Sequence, residues 1–358
     1  MSRAREVLAS QVNAVSMEWS ICPAEELSTH ADTWNRLVDR SGYPPFVRAE
    51  FLIPALKIFG NQRCRMALGY LESELAVAAI VQHIALGRWA VFQPSQLPLG
   101  AWVMSRAAGW STVLPSLLRA LPGLALMITV TQQDPRLVER PDDTARLEVV
   151  DYVRTAWVDV KGSFEEFWQA RGRNLRQNVA KQRRKIENAG QRLEFQFIDD
   201  PSRMASALAE FARLESSGWK GAEGTAVRLD NDQGRFYQEV LSAFSARGDA
   251  FAMCLSLDDR PIAVDFGIRD RDCAVILKTT YDEELKGISP GQLLHERAFA
   301  FFFEQQQPRR IEFYGKVMEW HTRWTEQSCV LYHVNYFRSP AIRSARTLVK
   351  RMRGAKVL

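Results

Sequence analysis

The chain is 358 residues long, 46% hydrophobic and 25% charged, with a formal net charge of +5. That composition fits a folded globular protein with room for two domains. The cysteines Cys22, Cys64, Cys254, Cys273 and Cys329 form no CxxC pair, so the spacing implies neither a zinc site nor a disulfide framework and points to a reducing cytoplasm. The longest apolar run, Leu75 to Leu86, is broken by Gln82 and His83, so neither a signal peptide nor a membrane span is expected.

Residues 1–16 read as a loose leader. Glu18 to Ile21 predicts a strand and Pro23 to Arg40 a helix with Leu27, Trp34 and Leu37 turned inward, ended by Pro44 and Pro45. Phe51 to Phe59 reads as a helix. Arg65 to Leu71 and Leu75 to Leu86 read as strands joined at Glu72-Ser73-Glu74, with Trp89 to Phe92 as a third. A helix over Ser111 to Leu121 and a strand over Leu124 to Thr131 complete an N-terminal domain, residues 17–132. The polar stretch with Pro135 and Pro141 is expected to be a linker, residues 133–151.

The second domain, residues 152–338, opens with a strand over Thr155 to Val160, a short helix over Ser163 to Ala170 and a long basic helix over 174–189 that stops at Gly190. Leu193 to Ile198 is a predicted strand. Helices follow over Pro201 to Ser216, with Met204, Leu208, Phe211 and Ala212 inward, and over Phe236 to Phe244. Ala250 to Leu257, Pro261 to Arg269 and Cys273 to Thr280 form a predicted strand meander. Arg310 to Tyr314 is a further strand, Glu319 to Thr325 a short helix, and Cys329 to Phe337 the strand that closes the sheet. Residues 339–358 are a basic tail. Both halves share a strand, helix and strand-meander order, so a structural duplication is expected.

The most informative stretch runs from Lys278 to Leu294. A strand leads into a polar turn, then Ser289 stands at an N-cap position, Pro290 at the first helical position and Gly291 where a ligand can approach the backbone. Leu294, Ala298, Phe301 and Phe302 share one buried helix face. Unpaired first-turn amides at the positive end of such a helix suit a pyrophosphate. An ordinary capped helix is the competing reading.

Four segments in order carry a resemblance: the basic helix Asn174-Leu175-Arg176 to Arg183-Arg184-Lys185, the run Glu215 to Gly221, Tyr281-Asp282 to Ser289-Pro290-Gly291, and Phe313-Tyr314-Gly315-Lys316 with Trp324 beyond it. Over roughly residues 20–338 the chain resembles the GNAT superfamily of acyl-CoA N-acyltransferases, in particular the CelD/BcsL branch associated with cellulose biosynthesis and FemAB-like proteins with two GNAT-type domains. The resemblance implies an α/β (α+β) fold of two GNAT-like domains, each a mixed, mostly antiparallel sheet flanked by helices. It also implies acyl-CoA or acetyl-CoA as co-substrate, with no metal, lying between the strands at 273–280 and 310–314. Lys278, Thr279, Thr280, Ile288, Ser289, Gly291 and Gln292 would hold it. Relatives often carry a Tyr-Lys pair where Trp320-His321 stands and an Asp where Glu312 stands, and Ser-Pro-Gly replaces the usual glycine-rich phosphate signature.

Acyl transfer to an amine needs a base for the amine, a stabilised oxyanion and a proton for the departing thiolate. Glu215, on the apolar face of its helix, is the first candidate base, because desolvation raises basicity; an ion pair with a basic-helix arginine competes. Asp265, flanked by Val264 and Phe266, is the second. His321 suits proton transfer by its near-neutral titration, against plain packing beside tryptophans. Tyr281 and Tyr314, at strand ends flanking the groove, are candidates to protonate the thiolate. Trp219, Lys220, Lys316, Trp320 and Arg176 are candidates to bind the acceptor. For each of these, ordinary packing or solvation competes.

The helix over 171–185 carries seven cations and no acid, and the tail interleaves arginines with Ile342, Leu348 and Val349. Solvation, CoA phosphate, an anionic membrane surface and nucleic acid compete as explanations; the lack of aromatic stacking platforms disfavours nucleic acid. The expected function is acyl-CoA-dependent N-acyl transfer to an amino sugar, polysaccharide precursor or other envelope-related amine, in the cytoplasm or at the inner membrane periphery. Two alternatives stand beside it: a non-catalytic module holding an anionic polymer or membrane, and aminoacyl transfer from tRNA, for which no helical hairpin arm is evident.

Overall fold

The computed structural model describes residues 17–354, with side chains up to Val349. The expected leader and the last residues of the tail lie outside the described residues. The first half contains β1 (Glu18–Pro23), α1 (Ala31–Ser41), α2 (Ala49–Phe59), β2 (Cys64–Leu71), β3 (Glu74–Ala85), β4 (Arg88–Val91), β5 (Trp102–Met104), α3 (Trp110–Ala120) and β6 (Met127–Gln133). β7 (Leu147–Asp159) follows, then α4 (Phe164–Gln169), α5 (Arg173–Asn188), β8 (Leu193–Ile198), α6 (Pro201–Ser217), α7 (Trp219–Ala222), α8 (Asp232–Ser245), β9 (Ala250–Leu257), β10 (Arg260–Arg269) and β11 (Cys273–Tyr281). The chain ends with α9 (Pro290–Gln305), β12 (Arg310–Glu312), α10 (Glu319–Thr322), β13 (Ser328–Phe337) and α11 (Pro340–Gly354).

Local chemistry sets the helix starts. Ser163 and Glu166 form a reciprocal capping box on α4, while the side chains of Asp200 and Asn231 accept first-turn amides of α6 and α8. α5 buries Leu175, Val179 and Ile186 together with Gln182. On α9 the buried set is wider than predicted: Leu293, Phe299 and Phe303 join Leu294, Ala298 and Phe302, while Phe301 is half-buried and stacks on Phe197 at 4.2 Å. The helix is enclosed on several sides, and its period alone does not show which side meets the sheet.

The strands form one sheet in the order β1-β2-β3-β4-β6-β13-β7-β12-β11-β10-β9-β8, with β5 beside β3. The expected duplication is visible in the pairing. β1 to β4 are antiparallel and β4 then pairs with β6 in parallel across α3; β8 to β11 are antiparallel and β11 then pairs with β12 in parallel across α9. Several strands differ from expectation: β5 is not anticipated by the pattern, and β12 ends at Glu312 rather than Tyr314. β7 starts at Leu147 rather than Thr155, and β13 lies between β6 and β7 instead of closing an outer edge. The long ladder between β7 and β13 makes the two halves one continuous sheet.

The parallel pair in the first half is closed by its own chain. Phe92 and Ala101 bond across to Ile80 and Phe92, and Gly100 sits so close to the Thr131 carbonyl that a Cβ there would approach it to 2.7 Å. The second half keeps its gap.

Where the halves meet, Arg136 bonds Asp134 and Glu312 (Nη1 to Oε1, 2.7 Å; Nη2 to Oε2, 3.1 Å) and lies 4.0 Å over the Trp157 ring. The Tyr314 hydroxyl donates to Asp134 at 3.1 Å. Arg310 adds a bond to Asp159 at 2.9 Å. These contacts fix β12 against β7 and the first half.

Burial pushes the Glu312 carboxyl from its ordinary value of 4.5 up to about 7, against the pull of Arg136. A carboxyl raised in the folded state favours folding when protonated, so this contribution is full below the unfolded value and is lost as pH rises through the folded value. Unfolding free energy followed by urea titration should therefore fall with pH across the window from 4.5 to about 7. Glu312→Gln should flatten that slope; superimposable wild-type and variant profiles would contradict it.

Candidate functional site

β11 and β12 pair only at Cys273 with Arg310, Ala274 with Ile311 and Val275 with Glu312. Beyond that point β11 stays on β10 as far as Tyr281, whereas the Phe313 amide bonds Ala156 of β7. The two strands part, and the edge of β11 from Ile276 to Tyr281 has backbone groups with no strand partner on that side. A cavity of about 320 Å³ opens there, within the usual size of small-ligand pockets. Thr279, Thr280 and Tyr281 line it from β11, and Ser289, Pro290, Gly291, Gln292 and His295 from α9. Leu214, Glu215, Trp219 and Lys220 face it from α6 and α7, and Trp320 and Trp324 from α10 and the loop after it.

The start of α9 departs from the predicted cap. Ser289 occupies the N-cap position in left-handed conformation (φ 55°), but its hydroxyl makes no capping bond. Asn178 of α5 donates to that hydroxyl at 3.2 Å and to Gln292 Oε1 at 2.7 Å, and is itself bonded by Gln182 at 3.1 Å. The amides of Gln292 and Leu293 both turn back to the Ser289 carbonyl. Pro290 has no N–H, so among the described residues the Gly291 amide is the free first-turn donor of this helix. A Cβ on Gly291 would meet only the Tyr281 ring, at 3.8 Å. The backbone there is open to a ligand, and the helix dipole reinforces its positive character.

Glu215 is buried, as its helix face predicts, but its partner is not a basic-helix arginine. Lys220 bonds one oxygen, and the Val227 amide donates to the other at 2.6 Å. Both oxygens are held, tying the segment from α7 to Val227 onto α6.

Asp265 is fully buried and does not line the cavity. Its Oδ2 meets His295 Nε2 at 2.9 Å, and its Oδ1 has no partner among the described residues. His295 does line the cavity, stacked between Phe299 at 5.8 Å and Trp320 at 5.0 Å. Sequence reasoning missed His295. It lies at i+4 from Gly291, hence over the same helix face, but a single histidine in an apolar run gives no other signal.

The remaining predicted residues stand apart from the cavity. His321 is buried under Trp320, its Nδ1 accepts the Met318 amide at 2.9 Å, and burial lowers it to about 4, so it is neutral near pH 7 rather than titrating there. Tyr314 does not flank the groove; it is buried in the Arg136 network behind β12. Lys278 points its ammonium over the Tyr237 ring at 5.7 Å, where burial lowers its pKa. Ile288 packs into the core, Lys316 is exposed, and Arg176 bonds Gln169 and the Arg171 carbonyl.

Glu215→Ala should cost about 1–3 kcal/mol of stability, because the buried Val227 amide loses its acceptor. Chemical denaturation measures it; an unchanged midpoint and slope would show that these bonds do not hold the α7 segment.

Residues 173–324 match the family model described as acetyltransferase (GNAT) domain. The sequence matches none of the curated proteins. The fold is similar to the C-terminal domain of a putative lysylphosphatidylglycerol synthetase from Agrobacterium fabrum, with TM-score 0.56 and 13% identity over 90% of this chain and 95% of that one. It is also similar to FemX, with TM-score 0.54 and 9% identity over 86% and 96%, and to L-PGS from Bacillus licheniformis, with TM-score 0.50 and 12% identity over 89% and 96%. At these identities the likeness is one of fold. The parted strands and the helix start described above lie within residues 173–324, the segment that is similar to the acetyltransferase (GNAT) domain model.

Proposed function

We propose that this protein transfers an acyl group from a CoA thioester to an amine, with the chemistry in residues 152–338 and residues 17–132 serving as a supporting domain. The observation that carries this reading is the unpaired edge of β11 opening beside the free Gly291 amide. A pantetheine arm can pair with that edge while the pyrophosphate meets the start of α9. Ser289, Gly291, Gln292, Thr279 and Thr280 are the residues for the co-substrate. Trp219, Lys220 and Trp320 face the remaining space, and such aromatic walls support a ringed amine, in keeping with an amino sugar or polysaccharide precursor of the CelD/BcsL type.

His295 is the base in this reading and Asp265 its positioning residue. With Nε2–H donated to Asp265, the neutral imidazole leaves its Nδ1 lone pair free, and no group of the chain bonds it among the described residues. The amine nitrogen attacks the thioester carbon, Nδ1 takes the amine proton, and collapse of the oxyanion breaks the carbon–sulfur bond. Tyr281, which lines the cavity at its exposed rim, is the phenol placed to return a proton to the thiolate. Glu215 shapes the acceptor side through Lys220.

Incubation of the full chain with acetyl-CoA and a panel of amino sugars should release free thiol and N-acetylated product. His295→Gln should lower kcat by about 10²-fold or more with little change in KM for acetyl-CoA, and Asp265→Asn should lower kcat while preserving binding. Unchanged turnover in His295→Gln would remove the base assignment. Failure of the wild type to bind acetyl-CoA at all would contradict the function.

A further inference from the structure

A cluster remote from the cavity combines three metal-ligating side chains. Cys22 is the penultimate residue of β1, Glu26 lies in the 3-10 turn Ala24–Ser28, and His30 precedes α1. One ligand atom from each lies within 4.8 Å of the other two. The backbone carrying them is fixed: the Thr29 and His30 amides bond the carbonyls of Glu26 and Leu27, and the Trp34 amide bonds that of His30. Ala24, Leu27 and Trp34 anchor the turn in the core at 4%, 1% and 0% exposure. The Cys22 thiol interacts with Glu26, and the His30 ring makes no hydrogen bond among the described residues. Cys22 and His30 are half-buried and Glu26 is exposed, so the cluster has a solid floor and one side open to water.

We propose that Cys22, Glu26 and His30 bind a borderline-soft divalent transition metal, Zn2+ foremost, through thiolate, carboxylate and imidazole, with water in the fourth position. Thiolate and imidazole select against hard cations such as Mg2+ and Ca2+. Bonds of about 2.0–2.3 Å place the ligands of one tetrahedral ion roughly 3.5 Å apart, so small side-chain rotations bring these atoms into range. Binding replaces the thiol proton with the metal and releases that proton to solvent. The ion would tie the edge strand β1 to the start of α1. The site lies on the outer edge of the first half and needs no acyl-transfer activity.

The test is Co2+ titration of the full, reduced chain, followed by Zn2+ displacement. One equivalent of Co2+ should produce the tetrahedral visible bands and a near-ultraviolet thiolate charge-transfer band, both erased by Zn2+. Cys22→Ser should lose the charge-transfer band, His30→Gln and Glu26→Gln should weaken binding, and Cys64→Ser should leave it intact. Zn2+ should also raise the melting temperature of the wild type but not that of His30→Gln. Absence of the charge-transfer band at one equivalent, or its persistence in Cys22→Ser, overturns the proposal.

Discussion

The structure depends on the early end of one strand pairing. β12 leaves β11 after Val275 and Glu312 because Glu312, Phe313 and the residues beyond are drawn the other way, by Arg136 at the seam and by the backbone of β7. A β-sheet normally satisfies its backbone groups by continuing to pair. Here the ladder between β7 and β13 and the Arg136 network hold β12 in place, and the edge of β11 stays open to a ligand that can complete it. The cost of the gap is met across the junction of the halves, which gives the first half a structural part in a site it does not line.

The same arrangement separates the roles of the polar groups. Those behind β12, including Asp134, Arg136, Glu312 and Tyr314, bond one another and maintain geometry. Those in front, including Gly291, His295 and Tyr281, keep atoms free for a ligand. Asp265 links the two sets, since it is buried like the first and reaches the cavity through His295. α5 adds a second brace: Asn178 holds Ser289 and Gln292, and Arg183 pairs with Glu296, so the helix whose cations invited an anionic partner also positions the start of α9.

Much of this was legible in sequence where the signal is local. Alternating apolar residues gave most strands, and Ser289, Pro290 and Gly291 marked the start of α9 at the place where the cavity opens. Glu215 followed from helical periodicity. What was not legible depends on contacts distant in sequence. His295 matters because Asp265, on another strand, fixes its ring. Glu215 found Lys220 and the Val227 amide, which no period predicts, and Tyr314 was drawn into packing by partners that only the folded sheet brings near, whereas His321 is held by its own neighbours Met318 and Trp320. β13 inserts beside β6, pairing Phe337 with Met127 across the intervening second half, a pairing that local pattern cannot encode.

The central claim, that the opened edge of β11 receives a CoA thioester, is tested most directly by amide hydrogen exchange with and without acetyl-CoA. The account predicts slowed exchange concentrated in peptides covering Ile276 to Tyr281 and the start of α9 at Gly291, with the first half unchanged. Protection absent from those peptides while acetyl-CoA is bound, or located instead around α3 in the first half, would contradict it.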